Sequence, residues 1–160
     1  MTDTAKNFID ESRDYLNAEY LPRIEQVLEQ LSDEDIWWRA GEDSNSIGNL
    51  LLHLEGNVRQ WIIGGVGNIS IERDRQREFD ERKTISRTEL LERLRKTLKE
   101  ADEVLANLDP ASLTERREIQ GRDVMVLRAI YHVVEHFSMH AGQIFMLTKM
   151  RTGKDLKFYS

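Results

Sequence analysis

The side chains best suited to chemistry in this sequence are four histidines, His53, His132, His136 and His140, and three of them fall within nine positions near the C-terminus. Their segment, YHVVEHFSMHAGQIFML from Tyr131 to Leu147, contains no proline. Apolar residues Leu127, Ile130, Val134, Phe137, Ile144 and Leu147 recur through and around it at largely helical spacing. On a helix, positions four apart differ by about 40° around the axis, so His136 and His140 project from one face a turn apart, as two ligands of one metal ion do. His132 and His136 share that spacing, and spacing alone leaves the choice of pair open. All three cannot serve one ion, because about 12 Å of helix separates His132 from His140 and metal–nitrogen bonds are only about 2.0–2.1 Å long. His53 lies far upstream in NLLLHLEGN, a second strongly apolar stretch. Two such helices packed together would bring a third imidazole to the site. The competing reading is that histidines on half-apolar helices are hydrogen-bonded core residues.

The elements that must position these residues read as helices. From Ala5 to Leu31 the apolar positions Phe8, Tyr15, Leu16, Tyr20, Ile24, Val27, Leu28 and Leu31 follow a helical period, with a kink or break expected at Pro22. Ser32 before DEDIWW reads as an N-cap for a short helix to about Arg39, with Trp37 and Trp38 as core or interface filler. GEDSN at 41–45 is a turn in which Ser44 or Asn45 caps the next helix, expected over Ile47 to Ile63. On that helix His53 lies one turn from both Asn49 and Asn57, so the two amides are candidates for orienting it or meeting a substrate, beside the commoner capping role. Gly64, Gly65 and Gly67 end the helix. The GGVGN segment lacks the strand context of a phosphate-binding loop.

The charged run at 69–85 reads as a solvated loop whose acids and arginines could line a pocket mouth. Ser86 and Glu89 form a capping box, and leucines at 90, 91, 94, 98, 105 and 108 mark a third helix ending at Asp109–Pro110. Between Pro110 and Asp123, Gln120–Gly121 suits the turn of a small extended excursion, after which Asp123 caps the last helix and Gly153 stops it. Four main helices with two long connections describe an all-α four-helix bundle rather than a simple series of hairpins.

Bulk properties set the class. A chain of 160 residues suits one domain, 1–160, with a real core. Net charge is −6, and the two signs are interspersed rather than gathered into a basic face, which disfavours nucleic acid as a partner. Cysteine is absent, so the chain offers neither disulfides nor a thiol nucleophile of its own. No apolar run is long enough to span a bilayer and the N-terminus lacks a signal-peptide core, so a soluble cytoplasmic protein is expected.

Three stretches, NSIGNLLLHLEGNVRQWI at 45–62, RDRQREF at 73–79 and EHFSMHAGQI at 135–144, resemble the DinB-like (DinB/YfiT) superfamily of metal-binding proteins, in motif order and over essentially the whole chain. The resemblance implies an up-down-down-up four-helix bundle, commonly a homodimer, with a divalent metal held by His53, His136 and His140. His132 falls outside that triad, in a supporting or core position. Three neutral imidazoles leave an ion an open coordination position, the pattern of a catalytic site, and suit Zn, Ni or Fe. Superfamily members of known activity include transferases and isomerases that use low-molecular-weight thiols such as bacillithiol or mycothiol. A metal-dependent S-transferase or hydrolase is therefore the leading expectation; a metal-binding stress protein without turnover and a helical interaction module are the alternatives. Asn57, Gln143 and Glu135 are candidates for lining the open position, and apolar surface at Trp37, Trp38 and Trp61 for pairing two copies.

Overall fold

The computed structural model describes residues 2–82 and 85–158; Lys83 and Thr84 of the charged segment and Tyr159 and Ser160 of the tail lie outside the described residues. The chain is mostly helical. Helix α1 (Thr2–Asp14) continues through a π-helical segment (Tyr15–Tyr20) into α2 (Leu21–Leu28) without leaving helical backbone angles. The break expected at Pro22 is thus absorbed. A proline has no N–H to give the carbonyl four residues back, and the turn just before it is already wound wide, with Leu21 N–H donating to Leu16 O. This rod buries Ile9, Leu16, Ile24, Val27 and Leu28. It is tied to α6 (Arg87–Ala106) by a two-pronged Arg13–Asp102 pair at 2.7 and 3.0 Å.

Ser32 caps the short α3 (Asp33–Trp37) in a reciprocal box with Asp35. The indole of Trp37 then packs so closely on Gly48 that a Cβ there would stand 2.8 Å from the ring. Helix α4 (Ile47–Val58) lies against α3, α5, α6 and α7, which is why its sequence is apolar nearly all round. Its cap is Ser46, not Ser44 or Asn45. Asn49 completes that box, its side chain accepting from the Ser46 backbone and hydroxyl. The helix does not stop at Ile63 either: a π-helical segment (Arg59–Val66) carries it through Gly64 and Gly65. Gly65 is needed because Ile119 of the hairpin packs on it, Cγ1 2.7 Å from where a Cβ would be.

The charged run is not merely a solvated loop. It folds into α5 (Arg75–Asp80), and its Arg73 and Glu78 side chains are 7% and 11% exposed against α4. Helix α6 presents Leu90, Leu94, Leu98, Ala101 and Leu105 to the core, and Ser86 accepts its Glu89 N–H. A 3-10 turn (Pro110–Thr114) leads to the antiparallel hairpin β1 (Arg116–Ile119) and β2 (Arg122–Met125), whose Gln120–Gly121 turn has φ of 55° and 69°. Two successive positive φ values are the two-residue hairpin turn that matches strand twist.

Asp123 does not cap the last helix. It sits in β2 paired with Arg116, and β2 runs directly into α7 (Val126–Thr152) with Met125 at the cap position and the Val126 N–H bonded to Glu115 O. Gly153, at φ 67°, ends α7 as expected. The tail then folds back: Leu156 is buried and Phe158 meets Phe145. Trp37 and Trp61 are only 5% and 6% exposed, so neither supplies the pairing surface expected of it. No helix among the described residues is long and apolar enough to cross a membrane.

Candidate metal centre

The packing of α4 on α7 brings His53, His136 and His140 together, with one ligand atom from each lying within 4.8 Å of the others. His53 Nε2 is 3.0 Å from His136 Nε2, and His140 Nε2 is 3.2 Å from the same atom. Nitrogens bound to one tetrahedral ion at about 2.0–2.1 Å stand roughly 3.3 Å apart, so the spacing of these two pairs suits an ion between them.

The far side of each ring explains its aim. His53 Nδ1 is 2.9 Å from Glu78 Oε2, and His140 Nδ1 is 2.7 Å from Gln143 Oε1. Glu78 Oε2 and Gln143 Oε1 are acceptors and favour a proton on each ring's Nδ1, the carboxylate outweighing the longer 3.2 Å approach of Arg73 Nη2 to His53 Nδ1, and that tautomer turns a bare Nε2 lone pair toward His136. His136 can donate to one of them at most, and its own Nδ1 is buried without a partner. Two lone pairs converging on a third imidazole is a poor arrangement for three neutral rings alone and a good one for a cation. The donor set therefore fits a divalent ion, with His53, His136 and His140 as the residues able to hold it.

Glu78 is itself held. Arg73 Nε and Nη2 donate to its two oxygens at 2.6 and 2.8 Å, and Arg73 Nη1 donates to Gln60 Oε1 at 2.8 Å. Burial pushes the Glu78 carboxyl up, but the bonds from Arg73 and His53 outweigh it, leaving the group below the ordinary carboxylate range and ionised. The chain of contacts continues outward, since Gln120 at the hairpin turn also donates to Gln60 Oε1. Gly56 makes room for this arrangement: a Cβ there would overlap Glu78 Oε1 and stand 2.8 Å from Arg73 Nε. Burial, followed by the neighbouring His140 and His53, pushes His136 down to about 3; burial also lowers His140 and His132. His136 is therefore neutral at pH 7 and its lone pairs are free for a metal, and the same burial favours the neutral forms of His140 and His132.

His132 lies beside the cluster, outside it. Its ring centroid is 5.4 Å from that of His136 and 4.5 Å from that of Trp61, its Nε2 is 3.5 Å from Asn57 Nδ2, and Glu135 is 3.8 Å from its Nδ1. Asn57 thus neighbours His132 rather than His53, and Asn49 is occupied by the helix cap, Arg39 and the carbonyls of Glu78 and Glu81. Gln143 stands out in the sequence beside the HxxxH pair, whereas Glu78 and Arg73 do not stand out as individuals from the charged run around them. Their signal was Gly56, a glycine inside a helix, which marks a close approach by another group. A cleft of about 430 Å³ lies on the other side of the Arg73–Glu78 pair, lined by Glu55, Arg59, Arg77 and Arg93 among others and by none of the histidines.

The fold has solved counterparts. A DinB-like protein from Bacillus cereus is 18% identical, with a TM-score of 0.67 over 86% of this chain and 88% of that one. A conserved protein from Enterococcus faecalis is 13% identical, with a TM-score of 0.70 over 96% and 98%. At such identities the likeness is one of fold. No curated protein matches the chain. The model of one family, described as a protein of unknown function (DUF1572), matches residues 3–160, and the chain belongs to that family.

Proposed function

We propose that His53, His136 and His140 hold one divalent ion, zinc, nickel or iron, and that the protein is a metal-dependent enzyme. The observation that carries this reading is the convergence of the Nε2 atoms of His53 and His140, whose rings are pinned by Glu78 and Gln143, on His136 Nε2. The same observation weighs against histidines that are ordinary core residues. Bound there, the ion would acidify a water or a thiol at its open coordination position.

The remaining work falls to the chain. Glu78, braced by Arg73, orients His53 and raises its basicity, and Gln143 does the same for His140. His132, kept neutral by burial and seated against Trp61 and Asn57, is suited to take a proton from a group reacting beside the cluster. A proton acceptor in that place favours hydrolysis through water. The absence of cysteine keeps the thiol reading alongside it: a sulfur nucleophile must arrive as a small molecule such as bacillithiol or mycothiol.

Further parts of the proposal are a single domain over 1–160, an up-down-down-up arrangement of the four long helical elements, a cytoplasmic setting and a homodimer. The exposed apolar residues of α7 support the last of these. Elemental analysis of untagged protein tests the metal, with one ion per chain expected; a chain with none ends the reading. Cobalt-loaded protein is then titrated with small thiols and assayed on activated esters and amides. A spectral change with thiol selects the S-transferase reading, and ester or amide cleavage with a near-neutral pH dependence selects hydrolysis. Silence in both leaves a metal-binding protein without turnover.

A further inference from the structure

Two buried side-chain atoms among the described residues have no hydrogen-bond partner, and both lie where α4 meets α7: Asn57 Oδ1 and His136 Nδ1. Buried polar groups in folded proteins are satisfied with few exceptions, so each of these calls for a reason. The pairing of the helices places them close together. His53 faces His136, with ring centroids 4.8 Å apart, and Asn57, one turn further along α4, has its Nδ2 3.5 Å from Nε2 of His132, one turn back along α7. The helices therefore run in opposite directions here. Asn57 stands against the turn of α7 between His132 and His136, whose rings are 5.4 Å apart, and at 4% exposure it is shut away from solvent.

The three ligand histidines differ in what stands behind them. His53 and His140 each have an acceptor at Nδ1, Glu78 and Gln143, whereas His136 has none. With a proton on His136 Nε2, serving one of the two facing Nε2 atoms at 3.0 and 3.2 Å, Nδ1 is a bare acceptor to which an amide oxygen offers nothing. A neutral imidazole that binds an ion through Nε2 carries its one proton on Nδ1 instead. Nδ1 is then a buried donor, and the unused acceptor at the same contact is Asn57 Oδ1.

We infer, on the reading that these histidines hold an ion, that Asn57 is the positioning residue of His136: its Oδ1 accepts from His136 Nδ1 when Nε2 is bound. Each of the three ligands then has a partner that fixes its tautomer and aim, Glu78 for His53, Asn57 for His136 and Gln143 for His140. The adjustment asked of the chain is a turn of one amide. Little is lost if its Nδ2 moves away from His132, because 3.5 Å is already beyond the ordinary length of a hydrogen bond.

Zinc alone, added to the full chain, tests this. Asn57→Leu removes an acceptor that has no partner, so the variant without zinc should unfold in urea as wild type does. Its zinc affinity, read by competition with a chelator, should nevertheless fall about 10–100-fold. Asn57→Asp restores an acceptor oxygen and should bind zinc as tightly as wild type. In protein with isotope-labelled histidine, zinc should fix the His136 proton on Nδ1 in slow exchange with solvent, and Asn57→Leu should speed that exchange. Unchanged zinc affinity in Asn57→Leu, a loss in Asn57→Asp as large as in Asn57→Leu, or a His136 proton on Nε2 in zinc-loaded wild type overturns the assignment. Should Asn57→Leu fail to fold, the wild-type spectrum and the Asn57→Asp affinity decide. A wild-type chain that takes up no zinc defeats the metal reading and this assignment with it; one zinc per chain with Asn57→Leu unaffected defeats the assignment alone.

Discussion

His53 and His140 each have one ring nitrogen occupied by an acceptor and the other aimed at His136, so the three rings act as a unit. His53→Ala, His136→Ala and His140→Ala are each expected to abolish stoichiometric metal binding, whereas His132→Ala should weaken it little; loss of metal in His132→Ala alone would show that the wrong pair on α7 had been chosen. Glu78→Gln keeps the shape of the side chain but leaves Arg73 facing a neutral amide and His53 a weaker acceptor. Metal affinity should fall about 10–100-fold, read by competition with a chelator. Acid should act on the metal-free protein through the same rings. Because His136 is held at about 3 against an ordinary 6.5, the unfolded chain binds a proton between those values that the native chain does not. Stability is therefore complete above 6.5 and falls as pH drops through that window. Urea midpoints at pH 7.5 and 5 should show the fall, and His136→Phe should flatten it; a slope unchanged in that variant would place the proton elsewhere.

At the scale of elements, α4 is the support on which the site depends. The period of the apolar residues made α4, α6 and α7 legible as helices, and the HxxxH spacing made one face of α7 legible as a ligand face. What the sequence did not display were contacts between residues far apart in the chain. Nothing local to 69–85 announces that Arg73 and Glu78 are buried, because the charges that make the run look solvated are satisfied by one another and by His53 and Gln60. Capping was misplaced for a related reason: Ser44, Asn45, Ser46 and Asn49 are all competent, and only the backbone path selects Ser46. Gly56 joins the two levels. An added methyl at Gly56→Ala should force the Arg73–Glu78 pair away from α4, destabilising the fold by about 1–3 kcal/mol. It should also weaken metal binding as Glu78→Gln does. Denaturant unfolding and chelator competition on one preparation check both effects; unchanged metal affinity would show that the pair does not hold His53 in place.

Across the whole molecule, the apolar surface left uncovered is unevenly placed. Leu127, Tyr131, Met139, Met146 and Met150 are 40–60% exposed, and all five lie on α7, the helix that also carries three of the four histidines. Ser138 and Gly142 fall within the same outward stripe, and Gly142 has open space where a Cβ would be, so a second helix could approach the backbone closely there. Trp37 and Trp61 cannot play this part, because Trp37 is held by Gly48 and the Ile85 carbonyl, and Trp61 is buried beside His132. A symmetric pair would cover each stripe with its copy, and the methionines, flexible and polarisable, suit such a contact. Sedimentation at micromolar concentration is expected to show a species of about twice the 18.8 kDa chain. Tyr131→Glu/Met146→Glu should return it to the monomer mass with its metal still bound, since neither residue belongs to the histidine triad. If the wild-type chain sediments at the monomer mass, the stripe does not join two copies; if the double variant remains a dimer, the copies meet on another face.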